Sequence, residues 1–384
     1  MARPPQPPPQ QDQPQPDPSI TMNKWTGLKN TVDAERLTQE ELEIAINVDI
    51  DDVGQLHRRR GRRKVADGNF SSAYTTNGGL FIAIKDGSIG LVNRDFTFRA
   101  LASGFTADPL AYVEVGPVLY FSSRTRAGKI DTDNLGAGVL SWGSNPDIWF
   151  SPVVNPTATL PPVRGKLLGK PPLATCLGYY NGRVYLAQDR VVWFTELFLY
   201  DFVDKTKNYW FFEAPVTMIG VVTDGIYVGT TEGLYFITGP NIKEVKRTRV
   251  GDSGVIPGSL VYVPQELANP GLFDMAVGRR QGTDVKVSIM FLTTAGFCGG
   301  QDGGVTYNFT EDKFIFPDAV QAVAGFRRQG GINQYLAITN SEGTPVSDAR
   351  IGDHLDVTLI RGGGRWCTIQ QGVEFGDSAS AVIA

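Results

Sequence analysis

Residues Thr223–Gly239 read TDGIYVGTTEGLYFITG. Two short runs, Ile226–Val228 and Leu234–Ile237, consist of β-branched, aromatic and large aliphatic residues. Such side chains suit a pleated, half-buried surface. The link between them, Gly229–Gly233, has glycine at both ends, which suits a tight hairpin. Asp224-Gly225 ahead of the first run is a second turn signal. The stretch therefore reads as two strands and a turn.

The unit recurs along the chain. It is NGGLFIAIKDGSIGLV at Asn77–Val92, with Asp86-Gly87 at the turn, and VGPVLYFSSRTRAGKI at Val115–Ile130. It returns at Tyr180–Phe194, Thr293–Phe309 and Gly331–Val346. Taken at Gly79, Gly116, Gly182, Gly225, Gly296 and Gln334, the spacings are 37, 66, 43, 71 and 38 residues. Periods near 40, with two gaps long enough to hold extra strands, point to propeller blades. The fold class expected is all-β: a β-propeller-like array of short antiparallel blades. No Trp-Asp dipeptide ends a blade, so the WD signature is absent.

At 384 residues the chain is long enough for a large core, and 41% apolar with 20% charged residues fits a globular protein. The 44 glycines fit many tight turns. A net charge of -4 argues neither for nor against nucleic acid. Cys176, Cys298 and Cys367 are odd in number and far apart, so neither a disulfide framework nor a CxxC zinc site is expected. No apolar run approaches a membrane span, and no apolar signal core begins the sequence. No membrane partner is expected.

Three domains are expected. Residues 1–20 form a Pro/Gln-rich tail, with eight prolines and five glutamines in the first eighteen positions. That composition cannot bury a core and reads as disordered or extended, either as a solvated tail or as a proline-rich ligand. Residues 21–66 form a helix-plus-strands segment for assembly or ring closure. In it, Thr38-Gln-Glu-Glu41 is a capping-box pattern predicting a short helix with Leu42, Ala45 and Ile46 as its buried stripe. Val48–Ile50 then reads as a strand, Asp51–Gln55 as a turn, and Leu56–Val65 as a second strand. Residues 67–384 form the propeller domain. Its closing blade is expected to pair Val48–Ile50 or Leu56–Val65 with Tyr335–Ile338 or Leu355–Ile360.

Several stretches have a chemical reading to weigh against a bland one. Asn47, Asp49 and Asp51 alternate like calcium ligands, but Asp52 stands where the loop needs glycine and Arg58 where it needs glutamate, which rejects that motif. His57–Lys64 packs six cations into eight residues: Arg58, Arg59, Arg60, Arg62, Arg63 and Lys64. Such runs attract phosphate, yet no aromatic stacking platform interleaves with this one. With Glu40, Glu41, Glu43, Asp49, Asp51 and Asp52 just upstream, the six cations read first as pairing within the fold or across a subunit contact, ahead of direct DNA binding. Asp131–Gly138 reads as an ordinary turn rather than a cation loop. Ser151–Pro172 reads as a long exposed connection. Leu197–Pro215 is unusually aromatic, and reads as packing between blades or, if exposed, as a partner surface. Lys243–Arg249 reads as a solvated strand edge.

No catalytic constellation emerges. The only histidines are His57 and His354, and no HExxH, GxSxG or Walker A pattern is present. Ser144–Trp149 faintly resembles a sialidase Asp-box but lacks the glycine after Asp147 and does not recur. Gly362–Gly364 has no lysine or helix after it and is a poor phosphate loop. The chain is therefore expected not to be an enzyme, with no cofactor and no metal site.

ELEIAINVDIDDVGQLHRRRGRRKV, residues 41–65, resembles the start of tail nozzle (tail hub, or tail tubular B-like) proteins of short-tailed bacteriophages. The matching residues are Ala45, Asn47, Val48, Asp49, Gly54, Arg59 or Arg60, and Gly61. VTMIGVVTDGIYVGTTEGLYFITG and TTAGFCGGQDGGVTYNFTEDKFIFP resemble propeller strands of the same family. The resemblance runs in patches over roughly Leu37–Pro317. The chain departs from the family in being short and in its Pro/Gln-rich tail. The resemblance implies a structural virion protein: a homo-oligomeric ring, commonly a hexamer, below the portal and adaptor. Such a ring continues the DNA channel and retains or releases the genome, without sequence-specific DNA binding. Its implied partners are the head-to-tail adaptor and other tail proteins such as fibres. Its implied place is the virion tail, assembled in the host cytoplasm. The alternative class is a carbohydrate-binding or carbohydrate-cleaving propeller.

Overall fold

In the structure, a computed structural model, residues 27–42, 67–143, 166–263 and 288–341 are described apart from isolated positions, with the backbone of short strands at 48–50, 56–58, 148–150, 358–361 and 370–371. The described residues are organised as six four-stranded sheets. The first sheet holds Phe70–Thr75, Phe81–Lys85, Ser88–Val92 and Phe98–Ser103 in antiparallel succession. The second holds Ala111–Val115, Val118–Ser122, Ala127–Asp131 and Val139–Leu140. The third holds Cys176–Tyr180, Arg183–Gln188, Val191–Phe194 and Tyr209–Phe211. The fourth holds Val216–Val222, Gly225–Thr230, Leu234–Thr238 and Lys246–Gly251. The fifth holds Val261–Tyr262, Ile289–Thr293, Gly296–Gly300 and Thr306–Asn308. The sixth holds Ala319–Gln329, Ile332–Ser341 and Thr358–Arg361, with Gln370–Gln371 beside Ile338 and Thr339.

Turn chemistry explains the hairpins. Asp86 and Gly87 have φ of 48° and 72°, and Asn181 and Gly182 have 45° and 72°. Two consecutive left-handed residues give a turn whose twist matches that of the flanking strands.

Cores alternate with sheets. Ile82, Ile84 and Ile89 meet Leu119, Phe121 and Ile130 between the first and second sheets. Val113 and Tyr120 meet Leu177, Val184 and Leu186 between the second and third. Tyr185, Val192 and Phe194 meet Ile219, Ile226 and Val228 between the third and fourth. Tyr227 and Phe236 meet Ile289 and Phe291 between the fourth and fifth, and Met290 and Phe297 meet Tyr335 and Ala337 between the fifth and sixth. Inner strands are thus covered on both faces, which is why all of Gly225–Thr230 is buried. Sequential antiparallel sheets packed face to face in this way make a β-propeller-like all-β array.

Five of the six expected hairpins are present among the described residues, with two refinements. Gly225 opens the second strand of its sheet whereas Gly296 opens the third, which lengthens that spacing. The long gap between Gly116 and Gly182 holds a small extra sheet made from Ile148–Phe150, Lys166–Gly169 and Val203–Asp204. In the Gly331–Val346 unit the first run is Ile332–Ser341, and the second run lies outside the described residues.

Two expectations for the N-terminal segment need correction. The helix from Thr38 is not formed: a 3-10 turn covers Ala34–Arg36, and Glu41–Leu42 is a strand pairing in parallel with Gly27–Leu28. The capping-box contact does form locally, with the Thr38 N–H donating to the Glu41 carboxylate at 3.0 Å. That carboxylate also takes the Lys29 ammonium at 3.0 Å, and the Lys29 N–H donates to the Leu42 carbonyl at 2.9 Å. Pairing with Gly27–Leu28 therefore outcompetes local helix propensity, which is a weak prior. Ala45 and Ile46 lie outside the described residues.

The expected blade closure also differs. Val48–Ile50 pairs with Leu56–Arg58 as a separate two-stranded sheet, and the sixth sheet pairs Tyr335 with Ile360 instead. Among the described residues, Asn30 ties the N-terminal segment to the later sheets. Its N–H donates to the Lys313 carbonyl at 2.9 Å, and its side chain donates to the Ile315 carbonyl and accepts the Ile315 N–H.

Candidate interaction surface

Of the six cations singled out in the sequence, Arg58 ends the strand Leu56–Arg58, with its Cα opposite Val48. Asp49 stands opposite His57 in the same register. Arg59, Arg60, Arg62, Arg63 and Lys64 lie outside the described residues.

The leading strands of five sheets converge on an aromatic line. Tyr74 and Tyr112, from the first and second sheets, stack with centroids 5.2 Å apart and planes at 22°. Tyr262 of the fifth sheet accepts the Val221 N–H of the fourth at 3.2 Å. Burial pushes Tyr74 up to about 12, with the charges of Glu114 and Tyr262 adding to the shift. Tyr262 is raised by burial, and the Cys176 thiol of the third sheet adds to it. Burial pushes the Cys176 thiol itself up to about 11, which keeps it in the unreactive thiol form at neutral pH.

The aromatic stretch Leu197–Pro215 divides between core and surface. Phe212 and Val203 are buried. Leu197, Phe198 and Leu199 form an apolar knuckle, with Phe198 67% exposed at φ 57°. On the outer strand of the third sheet Tyr209 is 46% and Phe211 58% exposed, while Trp210 turns inward and stacks on Tyr185 at 5.3 Å. Tyr209 and Phe211 face the same side because side chains alternate along a strand. A cleft of about 190 Å³ lies between this sheet and the fourth, lined by Tyr180, Arg183, Leu197, Trp210 and Ile237 among others. Its carboxylate neighbours are committed to structure: Asp224 accepts the Gly303 N–H, and Asp302 accepts the Thr223 N–H.

Other stretches resolve as ordinary structure. Asp131 accepts the N–H groups of Asp133 and Asn134 at 3.0 and 3.2 Å. Lys246–Arg249 is exposed on the outer strand of the fourth sheet, as a solvated edge should be. Arg247 there lies 5.1 Å over the Phe212 ring, and Arg249 pairs with Asp252 at 2.8 Å. Pro171, at the end of the proline-rich connection, is buried, against the expectation of exposure for the whole stretch. Residues 151–165, and the side chains of the Asp-box-like segment, lie outside the described residues. Among the described residues no helix is long and apolar enough to cross a membrane.

No family model matches this chain, and no curated protein matches it. Solved structures with some likeness include an extracellular domain of a two-component system from B. thetaiotaomicron, at 10% identity and a TM-score of 0.39, covering 70% of this chain. The chain spans 31% of that structure's length. The computationally designed Ika8 protein matches at 9% identity and a TM-score of 0.38, covering 79% of this chain and 87% of its own. The Neurospora crassa Pan2 WD40 domain matches at 9% identity and a TM-score of 0.37, covering 67% and 68%. Likeness at this level carries no argument about function.

Proposed function

We propose that this chain is a structural virion protein of a bacteriophage tail, a nozzle or hub that assembles as a ring below the portal and adaptor. The observation that carries this reading is the segment 41–65. Its sequence resembles the start of the tail nozzle family, and its strands Val48–Ile50 and Leu56–Arg58 stand as a two-stranded sheet outside the six larger ones. A lone two-stranded hairpin is marginal in water, so it calls for a surface to pack on. The arginine run that follows gives it charge for a neighbouring copy or an adaptor. Strong phosphate contacts would slow transit, and the net charge of -4 is compatible with a weakly interacting passage.

Negative-stain electron microscopy of the purified chain, alone and with its adaptor, tests the reading. Closed rings with a central hole wide enough for duplex DNA support it, whether formed alone or only with the adaptor. Monomers in both samples refute it and make glycan binding the next measurement. Arg59→Glu with Arg60→Glu is expected to abolish rings while leaving the far-ultraviolet circular dichroism unchanged. A variant that assembles normally would remove the arginine run from the interface.

A further inference from the structure

Residues Asn93–Thr97 form a closed knob at the turn between the third and fourth strands of the first sheet. The Asn93 N–H donates to the Thr97 carbonyl and the Phe96 N–H to the Asn93 carbonyl, each at 2.9 Å. One Asp95 oxygen accepts both the Thr97 N–H and the Thr97 hydroxyl, at 3.0 and 2.7 Å. The turn so built holds Phe96 at φ 64° and 47% exposed. A bulky residue in the left-handed region is costly, and a half-exposed ring recovers little of that cost by packing. An outlier of this kind points to a use for the ring. Beside it stand the exposed charges of Arg94 and Asp95.

The cleft between the third and fourth sheets has the complementary chemistry. Tyr185, Trp210, Ile226 and Ile237 wall it, and the exposed residues Asn181 and Leu197 mark its mouth. Its volume of about 190 Å³ is well below the roughly 300–1,000 Å³ of sites for drug-sized ligands, and suits a single large side chain. Arg183, also in its lining, donates to the Thr195 carbonyl at 2.5 Å and pairs with no carboxylate among the described residues. Burial raises the Tyr180 phenol of the same lining, and the nearby charges of Asp224 and Asp302 add to the shift. Each of those carboxylates accepts one turn N–H and pairs with no cation among the described residues. We propose that the Phe96 ring of one copy enters this cleft in a second copy, with Asp95 towards Arg183 and Arg94 towards Asp224 and Asp302. The second sheet stands between knob and cleft within one chain, so the knob cannot enter its own cleft. Knob and cleft are different patches, so the contact is head-to-tail, the type that closes rings. This contact rests on the ring reading of the chain and gives the ring an apolar anchor.

Photo-crosslinking between copies tests it. Leu197→p-benzoylphenylalanine puts the probe at the mouth of the cleft. Leu140→p-benzoylphenylalanine, exposed on the outer strand of the second sheet, is the control. Light- and heavy-isotope chains are mixed and irradiated, and adducts are mapped by mass spectrometry. The expected result is adducts between copies to residues 93–97, at about tenfold the control yield, because assembly raises the local concentration of the knob. Phe96→Gly should bring them to the control level with circular dichroism unchanged, since glycine adopts this backbone conformation freely. Arg94→Glu should lower them about threefold, the worth of an exposed ion pair. Adducts at the control level with Phe96 in place, or adducts retained in Phe96→Gly, overturn the proposal. Electron microscopy of the same samples separates this contact from the ring itself. Rings without the adducts overturn the knob contact and leave the ring reading standing. The adducts on dimers or open chains uphold the contact and remove the ring.

Discussion

Phe198 shows how much one residue carries here. A bulky side chain at φ 57° is a backbone outlier, and such conformations cost about 1–3 kcal/mol unless the surroundings impose them. The surroundings do impose it. The Phe198 N–H donates to the Gly182 carbonyl at 2.8 Å, the Leu199 N–H to Glu196 at 3.1 Å, and the Glu196 N–H to Phe202 at 2.9 Å. The buried Glu196 carboxylate also accepts the Asn208 side-chain amide at 3.1 Å. The result is a half-exposed apolar knuckle whose Leu197 and Phe198 side chains lie over Gly182. Phe198→Gly should be neutral or stabilising by up to about 1 kcal/mol, because glycine adopts this conformation freely. Phe198→Val should destabilise by roughly 1–2 kcal/mol, because a β-branched residue resists it. Urea denaturation of both variants checks this. A large loss in the glycine variant would mean that the ring supports the fold by packing.

At the scale of elements, the distance between neighbouring sheets rests on small residues. A Cβ on Gly178, in the leading strand of the third sheet, would come within 2.7 Å of Ile219 and 3.0 Å of Val221 in the fourth. Gly178→Val should therefore cost about 2–3 kcal/mol by overpacking. The same change at Gly79, where a Cβ would meet nothing within 4 Å, should cost only its left-handed backbone penalty of roughly 1–2 kcal/mol. Thermal unfolding of the pair compares the two, and equal losses would show that the third and fourth sheets can move apart freely. Tyrosine hydroxyls fasten the sheets as well. Tyr227 donates to the Gln301 carbonyl at 2.6 Å, and Tyr335 to the Ser259 carbonyl at 2.6 Å, each crossing to the fifth sheet.

For the whole molecule, these buried phenols set a response to alkali. Burial raises Tyr74, Tyr120 and Tyr185 to about 12 from an ordinary 10. Tyr112 and Tyr227 are raised for the same reason. A folded-state value above the unfolded one gives stability that is complete below pH 10 and is lost as pH rises through about 12. Stability should accordingly be flat from neutral pH to about 10 and then fall steeply, with tyrosinate absorbance appearing together with loss of the near-ultraviolet signal. A near-ultraviolet signal retained after all the phenols have ionised would contradict this. Several sheets share these groups, so the transition should be cooperative rather than confined to one sheet.

The sequence by itself determined the sheet order's raw material. Asp86-Gly87, Asn181-Gly182 and the glycine-bounded link of Thr223–Gly239 fix local backbone geometry, and the apolar runs beside them have the period of strands. Those signals are local, so they can be read from neighbouring residues alone. What only the tertiary structure decided involves partners far apart in the chain. Thr38–Glu41 has a helix-start pattern, but Glu41–Leu42 pairs with Gly27–Leu28. Of the expected closing strands, Tyr335 pairs with Ile360, and among the described residues Asn30 ties the N-terminal segment to the later sheets. Likewise, alternation along Tyr209–Phe211 says that two faces exist, but not that Trp210 meets Tyr185 while Tyr209 and Phe211 stay in solvent. Which face is covered depends on the position of the next sheet, and that position is set by packing rather than by neighbours in sequence.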